Sequence, residues 1–301
     1  MSAVGTGLLL GILTNILGGS SYVLQKLALD DWPPATLIFL RVAISLPFFY
    51  ALTPKRALEH ATRADWIRMI VVGSLGFAAP NLVGIYAIEK TESMNAALLI
   101  GLEPVTIVVL SAVFLREPLR PAQIAGFVLA LAGALVVVAR GQPSALLEFQ
   151  GEARANLGLA LHAMLWAIYT VLGKPTLERV PPAAFCLVTS VVGLACVLPF
   201  FLGEVDRWSW ARLSDPRAMG YVLGMALGIS VLAVVLWNIA LAKLKASEMA
   251  VLVFIQPVAS ALLSLLIGET LGPIALVGGA LVLGGVALSE LSATPRRSDA
   301  S

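Results

Sequence analysis

Two charged residues sit deep inside otherwise apolar stretches of the chain, Arg41 in 35–53 and Glu103 in 94–115. A charge at the centre of a bilayer costs about 2.5–3.5 kcal/mol on insertion scales, so each must face protein or water. A carboxylate in that position can bind an amine or carry a proton. Alternatively, Glu103 partners Arg41 or a backbone group freed beside Pro104. Arg41 is read as structural, in an ion pair or in helix–helix hydrogen bonds, with substrate contact the lesser alternative. On the stretch 156–177, His162, Trp166 and Tyr169 recur at i, i+4 and i+7, which is one helical face. That face has an apolar body and polar tips, the mix that walls a binding cavity, although ordinary helix packing would produce it too. Asn15 and Tyr22, Asn81 and Tyr86, Asn95, Trp237 and Gln256 supply further polar or aromatic groups inside apolar runs, and all are candidate substrate contacts. Pro104 and Pro257 each remove a helical hydrogen bond, which makes them candidate hinges.

The elements that must hold these residues follow from composition. Of 301 residues, 59% are hydrophobic and 13% charged, about half the share usual in soluble domains, and the net charge is +2. This balance excludes a disordered chain and gives no basic face for nucleic acid. Ten apolar runs are predicted as spans: 7–29, 35–53, 67–88, 94–115, 122–139, 156–177, 183–202, 218–241, 248–267 and 273–290. Their length and lack of alternation exclude strands. The first run has no basic leader or cleavage site, so it reads as a retained helix. Trp32, Trp66, Trp208 and Trp210 at the run edges are expected in an interfacial belt. With the N-terminus inside, the links on that side hold twelve Lys and Arg against seven opposite, which predicts both termini cytoplasmic. The polar tail 292–301 is expected to be disordered and cytoplasmic.

No zinc motif, phosphate-binding loop or paired-acid site occurs. No cofactor, metal or ATPase partner is therefore expected, and the oligomer is left as monomer or homodimer. Cys186 and Cys196 read as small buried hydrophobes. Gly220, Gly224 and Gly228 form a GxxxGxxxG stripe, and Gly278, Gly279, Gly284 and Gly285 crowd the last span; both sets are expected to pack within the chain.

The chain also repeats itself. Leu17-x5-Val23-Leu24-x-Lys26 returns as Leu165-x5-Val171-Leu172-x-Lys174, and Pro33-Pro34-Ala35 as Pro181-Pro182-Ala183. Leu46-Pro47-Phe48-Phe49 returns as Leu198-Pro199-Phe200-Phe201, Glu103-Pro104-Val105 as Gln256-Pro257-Val258, and Glu117 as Glu269. Residues 1–144 and 153–291 are thus two five-helix repeats. Five is odd, so the halves enter the membrane from opposite sides, an arrangement that secondary transporters use with a substrate site between the repeats.

In these motifs the chain resembles the drug/metabolite transporter superfamily, specifically the ten-helix EamA-type exporters, over about residues 5–290. The resemblance rests on Phe39-Leu40-Arg41, on Pro104 and Pro257, and on Glu117 and Glu269. It implies an all-α integral membrane fold of ten helices around a central cavity lined mainly by the first, third, fourth, sixth, eighth and ninth. It also implies export of amino acids or other small metabolites across the bacterial inner membrane, most like the bacterial amino-acid exporters. A multidrug or other metabolite exporter of the same fold is the alternative, and an intramembrane enzyme a more distant one, since no nucleophile or metal cluster accompanies His162 and Glu103. One departure is that Arg41 has only Thr189 at its repeat mate.

Overall fold

The computed structural model describes residues 3–90, 102–138, 153–264 and 273–291. Among them there are helices and no strands. In chain order these are α1 (Ala3–Leu29), α2 (Pro34–Leu52), α3 (Arg63–Glu89), α4 (Leu102–Leu115), α5 (Pro121–Val138), α6 (Ala153–Gly173), α7 (Pro182–Leu202), α8 (Pro216–Lys243), α9 (246–264, turned once at Phe254) and α10 (Pro273–Leu291). Five stretches are long and apolar enough to cross a membrane: Ala3–Ser21, Pro34–Leu52, α3, α7 and α8. Shorter apolar helices lie within α4, α5, α6 and α10. Leu157, Val113 and Leu276 are at least 60% exposed. Bare leucine and valine on outward faces suit hydrocarbon and would be costly in water.

Helix starts follow local rules. Pro34, Pro182 and Pro216 stand in the first turn of α2, α7 and α8, where a missing N–H costs nothing. Thr62 and Asp65 make a reciprocal capping box at the start of α3. Three helices carry wider turns with i→i+5 hydrogen bonds: Val72–Ala78 in α3, Ser111–Leu115 in α4 and Met225–Ala233 in α8. Those in α3 and α8 start 153 positions apart, the same offset as Pro104 and Pro257.

The two halves interleave. α1 packs on α8 and α9, α3 and α4 pack on α6, α2 on α7, and α5 on α10. The last pair is the tightest. A Cβ at Gly133 would lie 2.6 Å from the Val282 amide nitrogen, and one at Gly126 would lie 2.6 Å from the Gly285 carbonyl oxygen. Only glycine lets these backbones meet. The α8 stripe differs from expectation: a Cβ at Gly220, Gly224 or Gly228 meets nothing within 4 Å. Helical spacing told which glycines share a face, and that face points away from the protein. Trp32 also departs from the belt. It is 1% exposed, donates its indole N–H to the Ala218 carbonyl at 3.0 Å and meets Trp208 edge-on. Trp66 and Trp210 are exposed, and both cysteines are free thiols. The expected tail 292–301 lies outside the described residues.

Buried carboxylates tie the bundle at both ends. Where α1 finishes, Glu204 accepts from the Thr36 amide (2.8 Å) and hydroxyl (3.1 Å), and from the Tyr86 hydroxyl (2.7 Å). Arg212 pairs with Asp31 at that end. At the opposite end, Asp65 accepts from Thr176 and takes both Nε and Nη2 of Arg179 at 3.0 and 2.7 Å. That bidentate bond raises the Arg179 pKa above its ordinary value. Arg116 turns left-handed (φ 54°) at the end of α4. The next residue, Glu117, accepts from the Ala246 and Ser247 amides, both at 3.0 Å, and so caps α9 from across the bundle.

Candidate functional site

A cavity of about 120 Å3 lies between the halves. Seven helices line it: α1 with Thr14, Asn15, Gly18, Ser21 and Gln25; α2 with Arg41; α3 with Phe77, Asn81, Gly84, Ile85 and Ile88; α4 with Glu103; α6 with His162 and Trp166; α8 with Ile229, Ser230, Ala233, Val234 and Trp237; and α9 with Gln256. The volume is on the order of ten times the smallest space that holds one water, so the cavity takes a small solute.

The α1 wall is kept low by small residues. Gly18 faces the Gln256 side chain so closely that a Cβ would come within 3.2 Å of it. Gln256 donates to Asn15 Oδ1 at 2.9 Å, and Asn15 donates to the Gly11 carbonyl one turn back at 2.7 Å. Asn81 repeats this device on α3, donating to the Phe77 carbonyl while its Oδ1 accepts from Arg41 Nη2. Each amide therefore locks its own rotamer and fixes a longer side chain from a neighbouring helix.

The wider turns matter here because they free carbonyls. Thr14 donates to Ala233 O at 2.7 Å, which bonds α1 to the wide stretch of α8, while the Ser45 hydroxyl donates to the Arg41 carbonyl of its own helix at 2.6 Å and lies 3.3 Å from Ala226 O. On α6, His162 Nδ1 lies 2.7 Å from the Pro80 carbonyl oxygen. A carbonyl only accepts, so Nδ1 carries the hydrogen. Gly84 makes room for this ring, since a Cβ there would sit 2.4 Å from Nδ1.

Two buried charges remain incompletely partnered. Arg41 is 6% exposed and Glu103 3%. Among the described residues, Arg41 Nε and Glu103 Oε1 have no hydrogen-bond partner, nor does the indole nitrogen of Trp237. Among the described residues no ion pair joins Arg41 to Glu103. Arg41 donates from α2 to Asn81 on α3 and also stands on the cavity wall.

Of the residues singled out in the sequence, Asn15, Asn81, Glu103, His162, Trp166, Trp237 and Gln256 share this one cavity. Tyr86 and Tyr169 do not line it. Tyr86 is turned to Glu204 at the end of the bundle. Tyr169 is fully buried behind the wall, stacked on Trp166 at 5.2 Å and accepting from Asn238 at 2.7 Å. Pro104 is buried beside Glu103. Asn95 lies outside the described residues, as do the side chains of Tyr22 and Pro257. The sequence reading missed Gln25, Phe77 and Ser230. Gln25 continues the 15, 18, 22 spacing of α1, and Ser230 stands two turns before Trp237, so helical periodicity could have found both.

A bundle of apolar helices around a mixed polar and aromatic cavity defines a class, that of multi-pass membrane transporters for small molecules. The model of the EamA-like transporter family matches residues 5–139 and again 153–291, and the chain belongs to that family. A probable terminal-alkyne amino-acid exporter from Streptantibioticus cattleyicolor is 28% identical over 96% of this chain and 95% of its own length. The aromatic amino acid exporter YddG of Ancylobacter novellus is 30% identical, over 69% of this chain and 70% of its own. A solved crystal structure shares the fold with a TM-score of 0.75 at 22% identity, covering 95% of this chain and 97% of the other.

Proposed function

We propose that this chain is a secondary transporter that exports amino acids or similar small amphipathic metabolites across the bacterial inner membrane by alternating access. The observation that carries the reading is the central cavity, which joins buried polar groups to the flat faces of Trp166 and Trp237. An amino acid with a large side chain needs both. Relatives whose names are those of amino-acid exporters support the substrate class.

The architecture behind this reading is ten crossings in two inverted repeats, 1–144 and 153–291, with both termini cytoplasmic. Support comes from the helix pairings, which interchange when repeat mates are swapped: α1 on α8 matches α6 on α3, and α1 on α9 matches α6 on α4. The double family match agrees with it. In this orientation Ser21, Gln25 and Ile88 lie toward the external side. Leu241, Leu244, Ala246 and Met249, all fully buried, close the cytoplasmic side. The state is then outward-facing. Pro104 and Pro257 serve as the paired flexible points of α4 and α9, and repacking of the cytoplasmic plug opens the other side.

Counterflow in proteoliposomes tests the proposal. Vesicles loaded with unlabelled leucine should accumulate labelled leucine saturably, without ATP, and release it chemically unchanged. Flux linear in concentration without counterflow would make the protein a pore, and a converted product would make it an enzyme.

A further inference from the structure

We propose that Arg41 and Glu103 form a two-point clamp for an α-amino-acid zwitterion, Arg41 holding the carboxylate and Glu103 the ammonium. This rests on reading the cavity as the transport site, and it names what in that cavity recognises the substrate.

Both residues line the same cavity, from α2 and α4, and both are more than nine-tenths buried. Burying a charge without full partnering is expensive, and direct pairing of opposite charges is the usual remedy. Here the remedy is not taken. Among the described residues the two groups do not form an ion pair, and each keeps a buried polar atom without a hydrogen-bond partner, Nε on Arg41 and Oε1 on Glu103. The neighbouring polar groups behave otherwise. Asn15 and Gln256 bond each other, Asn81 bonds Arg41 and its own helix, and Thr14 and His162 bond backbone carbonyls. Among the described residues on this wall, the unmet capacity lies on two donors, Arg41 Nε and the Trp237 indole N–H, and on one acceptor, Glu103 Oε1, so Arg41 and Glu103 are the charged pair left open.

The chemistry of the occupant follows. A carboxylic acid would answer Arg41 and leave Glu103 bare, and an amine would do the reverse. A molecule bearing both charges on one carbon answers both, and the cavity as a whole stays neutral. Asn81 holds Arg41 through Nη2, so its remaining N–H edge is preset before substrate arrives. The unpartnered Trp237 indole N–H is a second donor for the carboxylate, and Trp166, stacked on buried Tyr169, is a rigid plate for the side chain.

The test compares a whole ligand with its halves, on full-length protein in proteoliposomes. Labelled-leucine counterflow is competed with leucine, with 4-methylpentanoate (the carboxylate alone) and with isopentylamine (the amine alone). Leucine should compete at concentrations at least about 10-fold lower than either half, the scale for hydrogen bonds to charged groups. Arg41→Gln should weaken leucine and 4-methylpentanoate by about 10- to 100-fold and spare isopentylamine. Glu103→Gln should weaken leucine and isopentylamine and spare 4-methylpentanoate. Arg41→Lys and Glu103→Asp keep each charge and should retain the wild-type ranking. The wild-type comparison needs no variant to fold. Equal competition by leucine and either half, or loss of all three ligands by one common factor in both variants, overturns the clamp and leaves amino-acid export standing. Absence of counterflow for every amino acid overturns the export reading and the clamp with it.

Discussion

Replacing Glu204 by glutamine removes one charge and half of the accepting capacity of a carboxylate that is 3% exposed. Its two oxygens take four donors: the Thr36 amide and hydroxyl, the Tyr86 hydroxyl and Arg207 Nη1. In the variant the carbonyl oxygen can keep Thr36, whose amide has no other way to bond across. The new amide group must then face Tyr86, which can turn and accept. Arg207 is abandoned, but at 3.3 Å and with a side chain 56% exposed it contributes little. The expected loss is the weakening of two charge-assisted bonds to neutral ones, about 1–2 kcal/mol. Glu204→Ala strands the Tyr86 hydroxyl and the Thr36 amide together, so about 2–5 kcal/mol is expected. Thermal unfolding in detergent, followed by loss of monodispersity, gives the ranking wild type, then Gln, then Ala. A double cycle with Tyr86→Phe should return a coupling of about 1 kcal/mol or more. If Glu204→Ala melts with the wild type, the carboxylate is not fastening α2, α3 and the α7–α8 link, and the reasoning fails.

Gly133→Ala should destabilise by about 1–3 kcal/mol, because its Cβ lands on backbone atoms of α10, whereas Gly220→Ala should be neutral or stabilising by up to about 1 kcal/mol; paired melting curves decide it. Asp65→Asn should lower the melting temperature, and Arg179→Gln should do so by less, because Asp65 also caps α3 and binds Thr176 while Arg179 is 40% exposed. Trp166→Ala should weaken transport of large apolar amino acids relative to small ones by about 1–3 kcal/mol in competition assays; a uniform loss across sizes would mean that the ring only packs. Reporter fusions after Gly141 and after Ala293 should report opposite sides of the membrane; the same side would remove the odd-numbered repeat.

The helices were legible because ten long apolar runs are an intrinsic property of the chain. So was much of the cavity, since Asn15, Glu103, His162, Trp166 and Gln256 are polar or amphipathic groups that hydrocarbon would reject, and the middle of the bundle is where they can go. What stayed hidden depends on partners distant in sequence. Glu204 looks like an ordinary loop acid until folding brings Thr36 and Tyr86 to it from 168 and 118 positions away. Tyr169 shares a helical face with Trp166, but α7 and α8 close over it through Phe185 and Asn238. Periodicity assigned the face correctly and could not tell how far the cavity extends along it. The α8 glycines mark the same limit, because small residues permit an approach that no helix among the described residues makes.

The wide turns of α3 and α8 bear on the angular setting of the cavity. An α-helix advances about 100° per residue, and a π-type stretch behaves as an α-helix carrying one residue too many. Every side chain beyond such a stretch is out of phase with those before it. Asn81, Gly84 and Ile88 follow the stretch in α3, and Val234 and Trp237 follow the one in α8. Their inward aim is therefore set by the surplus residue upstream. Rewinding Met225–Ala233 as a regular α-helix with every residue kept would swing Trp237 by roughly a quarter turn, off the cavity wall, whereas deleting one residue within the stretch would let α8 become regular with Trp237 still facing the cavity. In these two helices, the winding of one short stretch decides which residues beyond it reach the cavity.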